Sequence, residues 1–360
     1  MRPRRIQWLL ALLLVIGTSA GAHDGQGPVS ASVFTLEKLT DRLYVLYGRG
    51  GNVAFYVSED GVLVVDDQFL RQSVDGQTVE IAQGIVDKIK TVTDKPIRFV
   101  INTHHHGDHT GGNPVFVKLS TIVAHKNVRK NMLMAHETIL KTAPEAIAKL
   151  EKELEGARGD ASRTSQLEGQ LANQRLTLEI AKSIDVRKVM PQVTYDGEIQ
   201  IFLGDEEIRV LHLGRAHTDG DSLIHFTKAG VAHWGDVFTN KTHPFIDVRG
   251  GAHTGSWMTV LERGLQTLGD SIRMIPGHGK VGTAADVRAE IQYWTDLRNA
   301  VSQQLKAGKS REEAIAAISL PQYKDYTGGE QRLKTNLGTI YDELKGGTTP
   351  SGGAAMARIR

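Results

Sequence analysis

The stretch Ile101–Asn113, "INTHHHGDHTGGN", decides how the rest of the chain is read. Four histidines and an aspartate fall within six residues, His104 to His109, in a chain with 14 histidines altogether. The apolar run "IRFVI", Ile97–Ile101, precedes it with the character of a short buried strand, so the imidazoles sit in a loop at a strand's end. Gly107, Gly111 and Gly112 let the backbone fold back there. Imidazole and carboxylate are ligands for zinc and related divalent ions. The order His104-x-His106-x-Asp108-His109 lets His104 and His106 face one ion and Asp108 and His109 a second. Two ions held close together can share a hydroxide and act as Lewis acids. A loose metal-scavenging tract has neither the fixed spacing nor the flanking strand. By alternation His105 points elsewhere and reads as a structural residue.

One loop cannot supply all the ligands of two ions, so the others must come from other strand ends. Three residues follow apolar strand-like runs and lie near glycine: His217 in "LHLGRAHTDGD", Asp236 in "VAHWGDVF" and His278 in "MIPGHGK". Each alone is a weak signal, but their joint occurrence in this order after the first loop is far more specific. The chain contains no cysteine. Any metal site in it therefore uses nitrogen and oxygen ligands, and an exported form would lean on its core and its bound ions rather than on disulfides.

The segments around these loops alternate in type. "RLYVLYGRGGNVAFYVSEDGVLVVDDQ" reads as a meander of strands broken at Gly48–Asn52 and at Asp60-Gly61. "VEIAQGIVDKIKTVT" has helical spacing through Ile81, Ile85 and Ile89. From about 142 to 184 the chain becomes charged and helix-forming, and reads as an inserted helical hairpin interrupted at Gly156–Ser162, with Ser165–Glu168 as a capping box for its second helix. That insertion is either plain surface helix or a lid or dimer contact. Strands resume in "VTYDGEIQIFLGDEEIRVLHLG" and "DSLIHFTKAGVAHWGDVF", and helices occupy about 284–345. Residues 346–360 read as a flexible tail.

At the N-terminus, "MRPRR" followed by "IQWLLALLLVIG" and "AGA" reads as a signal peptide, residues 1–22, cleaved after Ala22; an uncleaved anchor is the alternative. That implies a periplasmic or secreted protein with no stable membrane anchor. The formal charge is +2, and removing Arg2, Arg4 and Arg5 with the signal leaves 40 basic residues against 41 acidic ones. Such a balance excludes the broad basic surface that nucleic acid or an acidic membrane would require.

"HHHGDH", "GRAHTDGD", "WGDVF" and "PGHGK" resemble the successive metal motifs of the metallo-β-lactamase superfamily. The resemblance runs from about Val33 to Gly282, and its first motif is the most specific. It implies an α/β fold in which two β-sheets pack face to face between outer helices, a four-layered sandwich forming one domain over about 33–345. It also implies roles by position. His104, His106 and His217 would bind a first zinc ion, Asp108, His109 and His278 a second, and Asp236 would bridge both or belong to the second. Asp66, in "GVLVVDDQ", would support a ligand histidine from beneath. The implied cofactor is Zn2+, two per chain, with iron or manganese as alternatives for the same ligands.

The chain departs from the β-lactamases that its motifs most resemble in having Asp236 where those usually carry cysteine. An aspartate resembles instead the wider superfamily of thioesterases, lactonases, phosphodiesterases and alkylsulfatases, and it makes the second site harder. The function expected is an exported dinuclear zinc hydrolase that uses a metal-bound hydroxide on an activated acyl bond of a small molecule, a β-lactam among the candidates. Asp108 would orient the nucleophile and handle its proton. Lactonase or thioesterase activity, phosphodiesterase or sulfatase activity, an iron oxidoreductase and a non-catalytic zinc carrier are the competing readings. Lys241 is either a contact for an anionic substrate or a solvated loop residue, and His243, Phe245 and Trp257 are either pocket lining or loop packing. His125, His136, His212, His225, His233 and His253 read as structural.

Overall fold

Apolar runs separated by two- to five-residue polar turns pair as antiparallel strands at the start of residues 33–157 and 159–346, which this computed structural model describes. The expected signal segment, and the expected tail beyond residue 346, lie outside the described residues. β1 (Thr35–Lys38), β2 (Leu43–Tyr47), β3 (Val53–Ser58) and β4 (Gly61–Val65) are neighbours in sequence order. Gly61 closes the β3–β4 turn with a φ of 137°, a conformation open to glycine. A small hairpin, β5 (Arg71–Val74) with β6 (Gln77–Glu80), leads into α1 (Ile81–Lys90), whose Ile81, Ile85 and Ile89 are buried as their spacing predicts. β7 (Ile97–Ile101) returns parallel to β4, and β8 (Thr121–His125) lies parallel to β7.

A helical hairpin then leaves the sheet: α2 (Lys126–Gly156) and α3 (Ala161–Ser183). α2 runs unbroken from the end of β8 through Pro144. Asp160, rather than the expected Ser165–Glu168 pair, caps α3, its carboxylate accepting from Arg163 N at 3.0 Å. An Asx cap at the turn itself ends the loop five residues before the serine can act. β9 (Val193–Tyr195) pairs with β8 and completes a seven-stranded sheet of order β1-β2-β3-β4-β7-β8-β9.

The second half repeats the plan with five strands. β10 (Glu198–Leu203), β11 (Glu206–Leu211), β12 (Leu223–Phe226) and β13 (Val231–His233) are antiparallel neighbours. α4 (Thr254–Leu268) carries the chain over to β14 (Arg273–Ile275), parallel to β13. α5 (Ala284–Lys306), α6 (Arg311–Ala317) and α7 (Gly329–Lys345) follow.

Three apolar clusters separate four layers. Val45, Tyr56 and Leu63 of the first sheet meet Ile208, Val210 and Phe226 of the second. α1 covers the outer face of the first sheet over Phe55, Val64 and Val100. Trp234, Trp257 and Trp294 fill the space between the second sheet and α4, α5 and α7. Each fully buried aliphatic or aromatic side chain here contributes roughly 1.5–3 kcal/mol. The central strands read as unbroken apolar runs because both of their faces are covered. The architecture is the α/β sandwich that the motifs imply. Among the described residues no helix is long and apolar enough to cross a membrane.

Candidate metal centre

The loops that follow β4, β7, β11, β13 and β14 meet at one place. They bring together all seven residues singled out as ligands. His104, His106, His217 and Asp236 form one group whose ligand atoms lie within 4.8 Å of one another, and Asp108, His109 and His278 form another. β7 delivers the first loop: Asn102 N still bonds to Val123 O of β8, and a short helical turn, Gly107–Thr110, then carries Asp108 and His109, whose ring centroid lies 4.1 Å from that of His104.

The hydrogen bonds on the outer side of each ring assign its tautomer. His217 Nδ1 faces Phe245 O at 2.8 Å, an acceptor only, so it carries the proton and Nε2 presents a lone pair inward. His106 Nε2 donates to Asp247 Oδ2 at 2.9 Å, which leaves the Nδ1 lone pair inward. The Thr103 hydroxyl gives its proton to Asp66 Oδ2 at 2.8 Å, so it accepts from His104 Nδ1 at 3.0 Å and His104 Nε2 is free. Those three inward nitrogens crowd together, His106 Nδ1 being 3.2 Å from His104 Nε2 and 2.9 Å from His217 Nε2. Three lone pairs at that separation repel unless a cation sits among them.

The second group shows the same need through its charges. His109 Nδ1 donates to Asp66 Oδ2 at 2.7 Å, and its Nε2 lies 3.2 Å from Asp236 Oδ1 and 3.5 Å from Asp108 Oδ2. His278 Nε2 lies 3.2 Å from Asp108 Oδ2 and 3.5 Å from Asp236 Oδ2. Asp236 thus sends one oxygen to each side, Oδ2 also approaching His217 Nε2 at 3.4 Å. His109 Nε2 and Asp236 Oδ1 are buried with no hydrogen-bond partner, so two orphaned polar atoms face the same point. The donor set and these orphans fit divalent ions.

The electrostatics divide accordingly. Burial drives the His104 imidazole well below its ordinary value and pulls His217 down to about 3. Burial also opposes charge on His109 and His278, but Asp108 and Asp236 outweigh it, lifting His109 well above its ordinary value and His278 to about 10. In turn these two imidazoles hold the buried carboxyls of Asp108 and Asp236 below the usual carboxylate range. Divalent ions would take over the neutralisation that protons otherwise supply.

Supporting residues are only partly foreseen by the sequence. Asp66, at φ 61°, orients His109 and also accepts from Thr103 N at 2.7 Å, as its place in the motif implies. Asp247 was not singled out. Its burial opposes ionisation, yet hydrogen bonds from His105 and His106 keep it far below the usual range. His105 is buried with Nε2 3.3 Å from Asp247 Oδ2, and the trio His105, His106 and Asp247 also lies within metal-holding distance. Because His106 Nε2 and Asp247 already bond to each other, that trio acts through orientation. Asn52, another residue without a sequence signal, ties the loop of His278 to the β2–β3 turn through Nδ2 bonds to Pro276 O at 2.9 Å and Gly279 O at 2.8 Å.

Asp221 shapes the loop of His217, accepting from Thr218 N at 2.8 Å and from its hydroxyl at 2.6 Å, and burial pushes its carboxyl up to about 7. Asp219 accepts from Asn131 Nδ2 at 2.7 Å. Phe245 lies against His106, ring centroids 5.7 Å apart, and Trp257 against His217 at 5.5 Å. His243 packs instead on Tyr293, and Lys241 is exposed at φ 55°. His253 caps α4, His233 Nε2 bonds to Asn52 O at 3.0 Å, and His125 stacks on His212 at 3.9 Å.

A family model described as the metallo-β-lactamase superfamily matches residues 46–278. Among solved structures, the stereoselective inverting sec-alkylsulfatase Pisa1 from Pseudomonas sp. is similar at 17% identity and a TM-score of 0.62, covering 92% of this chain and 53% of its own. This chain therefore spans about half the length of that protein. A metallo-β-lactamase from Pontibacter korlensis is similar at 14% identity and a TM-score of 0.49, covering 73% of this chain and 99% of its own.

Proposed function

The chain belongs to the metallo-β-lactamase superfamily, and from that membership we propose that it is a dinuclear zinc hydrolase, exported by its N-terminal segment, that cleaves an activated acyl bond in a small molecule. His104, His106 and His217 would hold one ion and Asp108, His109 and His278 the other, with Asp236 between the two groups. The observation that carries this reading is the convergence of three imidazole nitrogens beside two buried atoms without hydrogen-bond partners, His109 Nε2 and Asp236 Oδ1. Bound there, the ions supply Lewis-acid chemistry, polarising the scissile carbonyl and lowering the pKa of water.

The chain's own residues do the rest. Asp247, Thr103 and the Phe245 carbonyl fix the three imidazole tautomers, and Asp66 fixes that of His109. Asp108 directs Oδ2 at His109 and His278, which leaves Oδ1 to orient the attacking water and receive its proton. Phe245 makes an apolar wall beside His106 and excludes bulk water on that side. β-Lactams, lactones and esters are the substrate classes this machinery suits.

The test is metal analysis of the purified chain together with a substrate panel: a chromogenic β-lactam, a lactone, an aryl ester, an aryl sulfate and an aryl phosphodiester. The expected result is two bound ions and turnover of acyl substrates that His106→Ala abolishes. A fully loaded chain that turns over no acyl substrate overturns the reading, and preference for the sulfate or phosphodiester redirects it within the superfamily.

A further inference from the structure

Near the start of α7 stands a cation without an anion. The Arg332 guanidinium lies over the Phe245 ring, 4.9 Å from its centroid. No carboxylate among the described residues pairs with it; the nearby Glu330 pairs with Lys334 at 2.7 Å. Burial lowers the pKa of Arg332, with Tyr293 offsetting only part of the effect. Arg332 is half-buried, and an arginine presents a planar fork of donors matched to an oxyanion.

Its location gives that unsatisfied fork a use. The Phe245 ring lies against the proposed ligand imidazoles, 5.7 Å from His106 and 6.3 Å from His217, so one aromatic ring separates the guanidinium from the metal centre. The loop that carries Phe245 is tied to α7 and the segment before it. His243 N donates to Thr327 O at 2.8 Å, Thr327 N to Lys241 O at 3.0 Å, and Asn336 Nδ2 to Pro244 O at 2.9 Å. Val248, 62% exposed, extends the same loop with apolar surface. Arg332 lies beyond residues 46–278, the part of the chain that the family model matches.

We propose that Arg332 is the anion-binding residue of the substrate site, and that the substrates are apolar molecules bearing a carboxylate or sulfate set back from the bond that is cleaved. The inference rests on the hydrolytic reading of the same centre. Lys241, the exposed cation of the loop, is the natural comparison: its ammonium is hydrated, whereas the Arg332 guanidinium is half-buried against Phe245.

The experiment is calorimetric titration of the full, metal-loaded chain with hexanoate, hexyl sulfate and neutral hexanamide, repeated on metal-free chain to separate binding to the ions themselves. Variants are Arg332→Ala, Arg332→Lys and Lys241→Ala, with thermal melts confirming that each is folded. Arg332→Ala should weaken both anions about tenfold or more while hexanamide is unaffected, Arg332→Lys should recover part of the loss, and Lys241→Ala should change little. A larger loss for hexanoate than for hexyl sulfate identifies the carboxylate as the group held, and the reverse identifies the sulfate. Equal loss for the neutral amide, no loss in Arg332→Ala, or failure of both anions to bind the wild-type chain overturns the proposal. Failure of the hydrolytic reading has a different signature: a loaded chain that binds these anions through Arg332 and turns over no member of the acyl panel.

Discussion

Replacing Asp247 with asparagine removes one charge and one acceptor from a position where the structure leaves no room for a donor. Oδ2 accepts from His106 Nε2 at 2.9 Å and lies 3.3 Å from His105 Nε2, while Oδ1 accepts from Gly250 N at 2.9 Å. An amide has a single acceptor oxygen. Turned one way its NH2 opposes the two imidazoles, and turned the other way it opposes Gly250 N–H. Leaving a buried donor unmatched costs about 1–3 kcal/mol. His106 can relieve that conflict by moving its proton to Nδ1, which consumes the lone pair facing His104 and His217. Affinity for the ion at the three imidazoles should therefore fall by about 10- to 100-fold, with the ion at Asp108, His109 and His278 much less affected. Asp247→Ala imposes no opposing donor and admits water, so its loss should be smaller. Chelator competition on both variants, with melting curves beside it, reads the two ions separately from global stability. Unchanged affinity in Asp247→Asn, or a greater loss in the alanine variant, would refute the tautomer argument.

Two further outcomes follow from groups elsewhere in the molecule. Burial holds His125 and His243 down to about 4, with His212 reinforcing the effect on His125 and Asp196 opposing it. The unfolded chain takes up these protons near pH 6.5 and the folded chain only near 4. Their contribution to stability is thus full above about pH 6.5 and is lost as pH falls toward 4. His125→Gln should flatten the melting temperature across that window relative to wild type; parallel curves would count against it. Gly51 is packed so closely on His109 that a Cβ would enter the imidazole ring. Gly51→Ala should displace His109 and reduce the bound metal by one equivalent with the circular dichroism spectrum preserved. Full metal content in that variant would show that the ring can give way.

The legible part of this molecule is the part in which chemistry is concentrated over short distances in sequence. Four of the seven proposed ligands lie between His104 and His109, and the loop geometry follows from one strand end and three glycines. His217, Asp236 and His278 were legible because each ends a strand beside glycine, the place where an open sheet edge presents side chains. Ile81, Ile85 and Ile89 marked α1 through periodicity alone. Asp160 was missed as the cap of α3 because Ser165–Glu168 satisfies the same pattern, and only the position of the turn decides between them. Asp247 lies 141 residues from the histidine it orients, and an aspartate between Ile246 and Val248 looks like any loop residue. Arg332 is one basic residue in a charged helix until its stacking on Phe245 is seen.

The same reasoning bears on Asp236, where the resemblance leads one to expect a cysteine. Asp236 directs Oδ1 at His109, 3.2 Å away, and Oδ2 at both His217 and His278, at 3.4 and 3.5 Å. A single sulfur would have one donor atom to divide among these three imidazoles, whereas the carboxylate offers two oxygens. Its packing is correspondingly tight: a Cβ on Gly277 would collide with Asp236 Oδ1, so the glycine beside His278 is needed to let Asp236 in. Gly235, at φ 51°, turns the chain immediately before it. The "WGD" and "PGH" motifs are therefore one device in space. One glycine sets the angle at which Asp236 enters and the other clears the room it occupies, so that its two oxygens reach His109, His217 and His278.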